Sequence, residues 1–163
     1  MMRALFASLL LVSLSACGLQ PMYSGGSQGV VAQGMGAIEV SPIEGRAGWL
    51  VRNALRDRLG AAPKQSTRYR LVVRLDDRLE GLGVLGDDTI SRERRILRAR
   101  FQLVDLTDGN IMLDATAGSD AGIDIVSSEY ATIAAEQTAL ENLSQEVADR
   151  IMTQVALTLR AQS

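Results

Sequence analysis

The stretch RYRLVVRLDDRL, residues 68–79, alternates apolar and charged side chains along most of its length. A period of two residues predicts a β-strand with one face buried and the other exposed. The predicted buried face carries Tyr69, Leu71, Val73, Leu75 and Leu79. The predicted exposed face carries Arg68, Arg70, Arg74 and Arg78.

A second stretch, from about residue 91 to residue 106, repeats this pattern after a glycine-containing connection over residues 80–89. Its odd-numbered positions from residue 97 to residue 103 are apolar, and four of its even-numbered positions are arginine, so the two strands share one parity. The apolar set is Leu97, Ala99, Phe101 and Leu103, and the arginine set is Arg92, Arg94, Arg98 and Arg100.

A hairpin turn is predicted at LTDGN, residues 106–110, and parity restricts its length. Apolar residues are odd-numbered both before the turn and after it, and directly paired residues must lie on the same face. A two-residue loop would turn one strand inside out. We therefore expect a three-residue loop over residues 107–109, which pairs Leu106 with Asn110 and places Gly109 in the left-handed conformation. The strand that follows is expected to reach about residue 126, with interruptions near Gly118 and Gly122.

Three further elements complete the predicted fold. Residues 37–42 favour a short first strand, and residues 46–59 and about 130–159 have the periodicity of amphipathic helices. The apolar stripe of the second helix is Ile133, Leu140, Leu143, Val147, Ile151 and Val155. The predicted order is β-α-β-β-β-α, a two-layer α+β sandwich in which both helices pack on the odd-numbered face of a four-stranded sheet. We expect residues 37–163 to form this single domain.

The composition excludes most catalytic chemistry. The chain of 163 residues contains no histidine and one cysteine, so the usual zinc, copper and haem ligands and the Ser-His and Cys-His catalytic groups are missing. Asp76 and Asp77 point to opposite faces of one strand and cannot act as an acid–base pair. We expect a protein that is not an enzyme and that carries no metal or other cofactor.

The first 16 residues have the pattern of a signal peptide, with Arg3 followed by an apolar run from residue 4 to residue 14. Residues 14–17, LSAC, resemble the lipobox of bacterial lipoproteins. That resemblance implies that Cys17 becomes the mature N-terminus and carries a diacylglyceryl group and an N-acyl chain such as palmitate. Gly18, in place of aspartate, implies transfer to the outer membrane. Residues 17–36 are rich in glycine, serine and glutamine, which predicts a flexible tether.

The uncovered face of the predicted sheet is rich in arginine, because nine of the chain's arginines lie between residues 68 and 100. Guanidinium groups bind phosphate and carboxylate in a bidentate manner. Arg92, Arg94, Arg98 and Arg100 are the first candidates for binding an anion, followed by Arg70 and Arg74. A solvated sheet face explains the same pattern equally well. Nucleic acid is not an expected ligand, because the signal directs the chain out of the cytoplasm.

Several segments, taken in order, resemble the alphaproteobacterial form of the LptE family of lipopolysaccharide-assembly lipoproteins. They are residues 17–23, CGLQPMY; 52–56, RNALR; 88–92, DTISR; 101–109, FQLVDLTDG; and 130–137, YATIAAEQ. The resemblance implies an α/β domain that plugs the LptD β-barrel of the outer membrane and supports delivery of lipopolysaccharide to the outer leaflet. It further implies that the arginine-rich face meets lipopolysaccharide phosphates and acidic sugars, or acidic groups of the barrel wall.

Two alternatives stay open at this point. One is an accessory lipoprotein of an envelope phospholipid-transport system of the ABC type, which would bind an inner-membrane transporter or its lipid carrier. The other is an enzyme acting on envelope material, for which no constellation of carboxylates, serine or Lys64 provides support.

Overall fold

The computed structural model describes residues 29–84 and 90–162. The predicted signal peptide, Cys17 and most of the predicted tether therefore lie outside the described residues. The elements in chain order are α1 (Val30–Gly36), β1 (Ile38–Val40), α2 (Gly45–Gly60), β2 (Tyr69–Val84), β3 (Ile90–Asp105), β4 (Ile111–Asp124) and α3 (Glu129–Ala161).

The four strands form one mixed sheet in the order β1-β2-β3-β4. β1 runs parallel to β2, and the other two pairs are antiparallel. Leu71 pairs with Leu103, and Leu103 pairs with Leu113, so residues of one parity share one face across the three long strands. The predicted register is confirmed.

The turn between β3 and β4 differs from the predicted three-residue loop. The Asp105 N–H donates to the Asn110 carbonyl at 2.9 Å, and the Gly109 N–H donates to the Asp105 carbonyl at 2.9 Å, which closes a four-residue loop. Met112 is an extra residue in β4, because Val104 pairs with Ile111 while Leu103 pairs with Leu113. This bulge restores the predicted register beyond the turn. Gly109 has a φ of 75°, as expected for its left-handed position.

Both long helices pack on the odd-numbered face of the sheet, and the predicted two-layer α+β architecture is confirmed. The core lies between this face and the helix layer. Its largest fully buried side chains include Phe101, Leu55, Leu71, Leu97, Leu103, Leu143 and Ile151. Ile133, the first member of the predicted stripe, is 43% exposed, and it lines a surface cavity beside the first turn of α2.

The β2–β3 hairpin is longer than predicted, and β4 lacks the predicted interruptions, although it ends at Asp124 and not near residue 126. The first residues of the expected connection continue β2, and Glu80 pairs with Arg94. β4 runs without interruption through Gly118 and Gly122. Ladder hydrogen bonds to β3 override the weak strand preference of glycine at these positions.

The two long helices are joined by Arg58 of α2. Its Nε donates to Asp149 Oδ1 at 2.6 Å, and its Nη1 donates to Gln145 Oε1 at 2.9 Å. The hydrogen bond from Arg58 holds the pKa of Asp149 below its usual value. The contact fixes one helix against the other at the surface of their interface.

The helix α1 corrects the predicted extent of the tether, which the sequence predicts to reach residue 36. Val31 and Met35 are buried, and α1 contacts both α2 and α3. A seven-residue helix is not stable by its own propensity. Burial of its apolar side explains why this segment folds, and the folded domain therefore begins near residue 30 instead of residue 37.

We expect Met35→Ala to lower the free energy of unfolding by about 2 kcal/mol, because it removes a buried side chain from the contact between α1 and the core. The matched control is Val30→Ala, since Val30 lies on the same helix and is 60% exposed. Urea denaturation of both variants measures the difference. Equal stability of the two variants would contradict this expectation and would indicate that residues 30–36 belong to the tether and not to the folded domain.

Candidate functional site

The face of the sheet opposite the helices carries seven arginines on β2 and β3, and we call it the arginine face. They are Arg70, Arg74 and Arg78 on β2 and Arg92, Arg94, Arg98 and Arg100 on β3. All seven are exposed. The alternation of the two strands brings these side chains together, and the helix layer leaves them accessible.

Four of these arginines form ion pairs with aspartates on the same face. Arg100 Nη2 lies 3.0 Å from Asp114 Oδ2, and Arg92 Nε lies 3.0 Å from Asp124 Oδ1. The other two pairs are Arg94 with Asp120, at 3.9 Å, and Arg78 with Asp76, at 2.6 Å. The aspartates of β4 therefore neutralise much of the charge that the sequence places on β3.

The pair between Arg100 and Asp114 is bidentate, since Arg100 Nε also donates to Asp114 Oδ1 at 3.2 Å. Gln102 Nε2 donates to the same carboxylate at 2.8 Å. The hydrogen bonds from Arg100 and Gln102 lower the pKa of Asp114, and the bond to Asp114 raises the pKa of Arg100. Asp114 thus stays ionised and neutralises part of the positive charge of Arg100.

Three cations of the arginine face, Arg70, Arg74 and Arg98, form no ion pair with any residue in the described ranges 29–84 and 90–162. Arg98 lies across Gly118 and donates from Nη1 to the Ser119 carbonyl at 3.3 Å. A Cβ atom at position 118 would stand 2.4 Å from Arg98 Cδ, so this glycine makes the close approach possible.

Arg74 and Arg100 lie directly opposite each other on β2 and β3. Like charges in this position repel and destabilise a sheet. The two side chains border a cleft of about 200 Å³ whose other walls are Val72 and Gln102. A phosphate or carboxylate group in this cleft would relieve the repulsion and accept hydrogen bonds from Arg74, which has no other partner among the described residues.

Two further arginines between residues 68 and 100 do not belong to the arginine face. Arg68, which the pattern placed on the exposed face, bonds Asp105 Oδ2 through Nη2 at 2.9 Å, and its guanidinium lies 5.0 Å from the Tyr69 ring centroid. Arg95 points to the helix side, where Nη2 bonds Asp77 Oδ2 at 2.7 Å and Nη1 donates to the Glu136 carbonyl at 3.1 Å. Sequence reasoning missed the Arg95 contact, although the parity of residues 77 and 95 is consistent with it.

Within residues 29–84 and 90–162, no group of three or more histidine, cysteine, aspartate or glutamate side chains is arranged to hold a metal ion. None of the helices in these residues combines the length and the hydropathy needed to span a membrane.

The family model LptE, described as lipopolysaccharide-assembly, matches residues 35–155 and thus most of the chain. The chain belongs to the LptE family. This result favours lipopolysaccharide assembly over the phospholipid-transport alternative. The resemblance noted in the sequence is confirmed, and the family is one of lipoproteins without enzymatic activity. No curated protein matches the sequence.

Several solved structures share the fold. A lipoprotein from Caulobacter crescentus is 26% identical, with a TM-score of 0.66, over 83% of this chain and 98% of that one. A minor lipoprotein from Acinetobacter baumannii is 15% identical, with a TM-score of 0.58, over 74% of this chain and 91% of that one. The rare lipoprotein B from Shewanella oneidensis is 15% identical, with a TM-score of 0.56, over 77% of this chain and 96% of that one.

We expect Asp114→Asn to strengthen binding of an inorganic polyanion to the arginine face by about two- to fivefold, the range typical of an exposed ion pair. The change removes a negative charge and releases Arg100 to face the cleft. Titration with tripolyphosphate at low ionic strength measures the affinity, with Asp108→Asn in the turn as a control of equal charge. Weaker binding by Asp114→Asn would mean that the ion pair positions Arg100 for the ligand.

Proposed function

We propose that this LptE-family protein is an outer-membrane lipoprotein that supports an LptD-type β-barrel in placing lipopolysaccharide in the outer leaflet. In this proposal the acyl chains on Cys17 hold the protein at the membrane, with the domain facing the periplasm. Residues 18–29 connect the anchor to α1. Several acyl chains together give stable attachment, whereas a single chain gives marginal binding.

The partner in this proposal is the lumen of the barrel, which the domain enters as a plug. Outer-membrane barrels of this kind have polar interiors. The sheet offers a polar surface of matching chemistry on its arginine face, while the helices shield the apolar core. No reaction is assigned to the domain, and its role is to bind and to position.

We further propose that the arginine face contacts the phosphates and acidic sugars of lipopolysaccharide. The observation that carries this proposal is the repulsive juxtaposition of Arg74 and Arg100 beside a cleft. Arg70 and Arg98 are the neighbouring cations that form no ion pair within the described part of the chain. Arg92, Arg94 and Arg100 rank behind them, because their aspartate partners must first be displaced.

The variant R70Q/R74Q/R98Q should bind lipopolysaccharide about tenfold more weakly or worse, because a charge-assisted hydrogen bond contributes about 1.5–3 kcal/mol. The matched control R78Q/R92Q/R94Q removes the same charge from the same face, but from arginines that are paired with aspartates. It should lose less than about threefold, as expected for charges whose partners already neutralise them. Binding of fluorescent lipopolysaccharide to full-length protein in detergent provides the measurement.

Thermal unfolding of both variants serves as the folding control and should change little, because all six side chains are exposed. Equal losses of binding in the two variants would indicate a response to total charge and contradict the ranking of the arginines. Unchanged binding in both variants would indicate that the arginine face is a solvated surface and does not contact lipopolysaccharide.

A further inference from the structure

The outer edge of β1 has main-chain groups without partners in residues 29–84 and 90–162. The Ser41 N–H donates to the Leu71 carbonyl at 3.0 Å, and the Tyr69 N–H donates to the Ala37 carbonyl at 3.1 Å. The main-chain groups of odd-numbered residues in β1 therefore face β2, and those of Ile38 and Val40 face away from it. No residue among those described bonds the N–H or C=O groups of Ile38 and Val40.

This edge opens into a cleft of about 780 Å³ between α2 and the chain that follows it. The volume lies within the range of ordinary ligand sites. The α2 wall presents Arg52, Asn53, Arg56 and Asp57, and the opposite wall presents Lys64, Gln65 and Thr67. The edge of β1 lies between two polar walls that are open to solvent.

The cleft carries positive charge that the described part of the chain does not neutralise. Arg52, Arg56 and Lys64 form no ion pair there, and the Nε of Arg52 is buried without a hydrogen-bond partner. Asp57 is one acidic residue of the lining. Glu39 is the other, and its pairing with Arg70 directs it to the arginine face.

The opposite edge of the sheet is protected, which makes the open edge at β1 distinctive. Gln154 Nε2 of α3 donates to the Thr116 carbonyl of β4 at 3.3 Å, and Arg150 of the same helix donates to the Gly118 carbonyl. Such covering of an edge strand prevents pairing with another chain. At β1, helix side chains flank the edge without bonding its main chain.

We propose that β1 is a docking strand, to which an extended acidic segment of a partner protein adds as a fifth strand of the sheet. The partner's main chain bonds Ile38 and Val40, and its carboxylates lie against Arg52, Arg56 and Lys64. Alternate residues of a strand are about 7 Å apart on one face. Residues four apart on a helix are about 6 Å apart along its axis, so acidic residues at every second position match Arg52 and Arg56.

The probe is the peptide acetyl-Thr-Glu-Thr-Glu-Thr-Glu-amide, titrated into full-length, ¹⁵N-labelled protein in detergent and followed by NMR. We expect shifts and slowed hydrogen exchange at the amides of Ile38 and Val40. The variant R52Q/R56Q/K64Q should bind at least about tenfold more weakly, while R78Q/R92Q/R94Q, with the same loss of charge, should bind normally. Ile38→Pro removes an edge N–H without breaking a bond to β2, and should also weaken binding about tenfold.

A copy of the peptide with every main-chain nitrogen methylated separates strand addition from simple attraction of anions. It keeps every carboxylate but has no main-chain N–H donor on either edge, so it should not bind. Equal binding of the two peptides, or an absence of change at Ile38 and Val40, would overturn the proposal. The triple glutamine variant keeps the test decisive if Ile38→Pro fails to fold. Lipopolysaccharide binding should be normal in R52Q/R56Q/K64Q. A failure of the docking proposal can therefore be distinguished from a failure of the proposed function.

Discussion

The architecture depends on the two-residue period of β2 and β3. That period sends the apolar side chains of both strands to the helix layer and their arginines to the opposite face. A slip of one residue would bury arginines in the core, so the register is strongly constrained. Gly109, with its positive φ, and the bulge at Met112 maintain this register through the β3–β4 turn.

The same constraint concentrates positive charge, and β4 provides aspartate partners for three of the four arginines that β3 places on the arginine face. Asp114, Asp120 and Asp124 lie on the arginine face because they share the parity of the arginines on β3. Their ion pairs are exposed and contribute little to stability individually. The three aspartates pair with Arg92, Arg94 and Arg100 and leave Arg70, Arg74 and Arg98 without an ion pair among the described residues.

The strands, the two long helices, the register and the pairing of Arg100 with Asp114 all follow from periodicity and parity in the sequence. The helix α1 does not, because it is short and glycine-containing and is held by the burial of Val31 and Met35. The length of the β2–β3 hairpin could not be predicted from the sequence either, since pairing between the strands outweighs the low strand preference of the local glycines. The free edge of β1 depends on the order of the strands in the sheet, which alternation does not specify.

The most direct test of the proposed role is to extract the full-length protein, tagged and expressed at its native level, from membranes in mild detergent and to identify what co-purifies by mass spectrometry. The account predicts one large outer-membrane β-barrel of the LptD type in stoichiometric amount, together with lipopolysaccharide. Co-purification of inner-membrane transporter subunits without a barrel would contradict it.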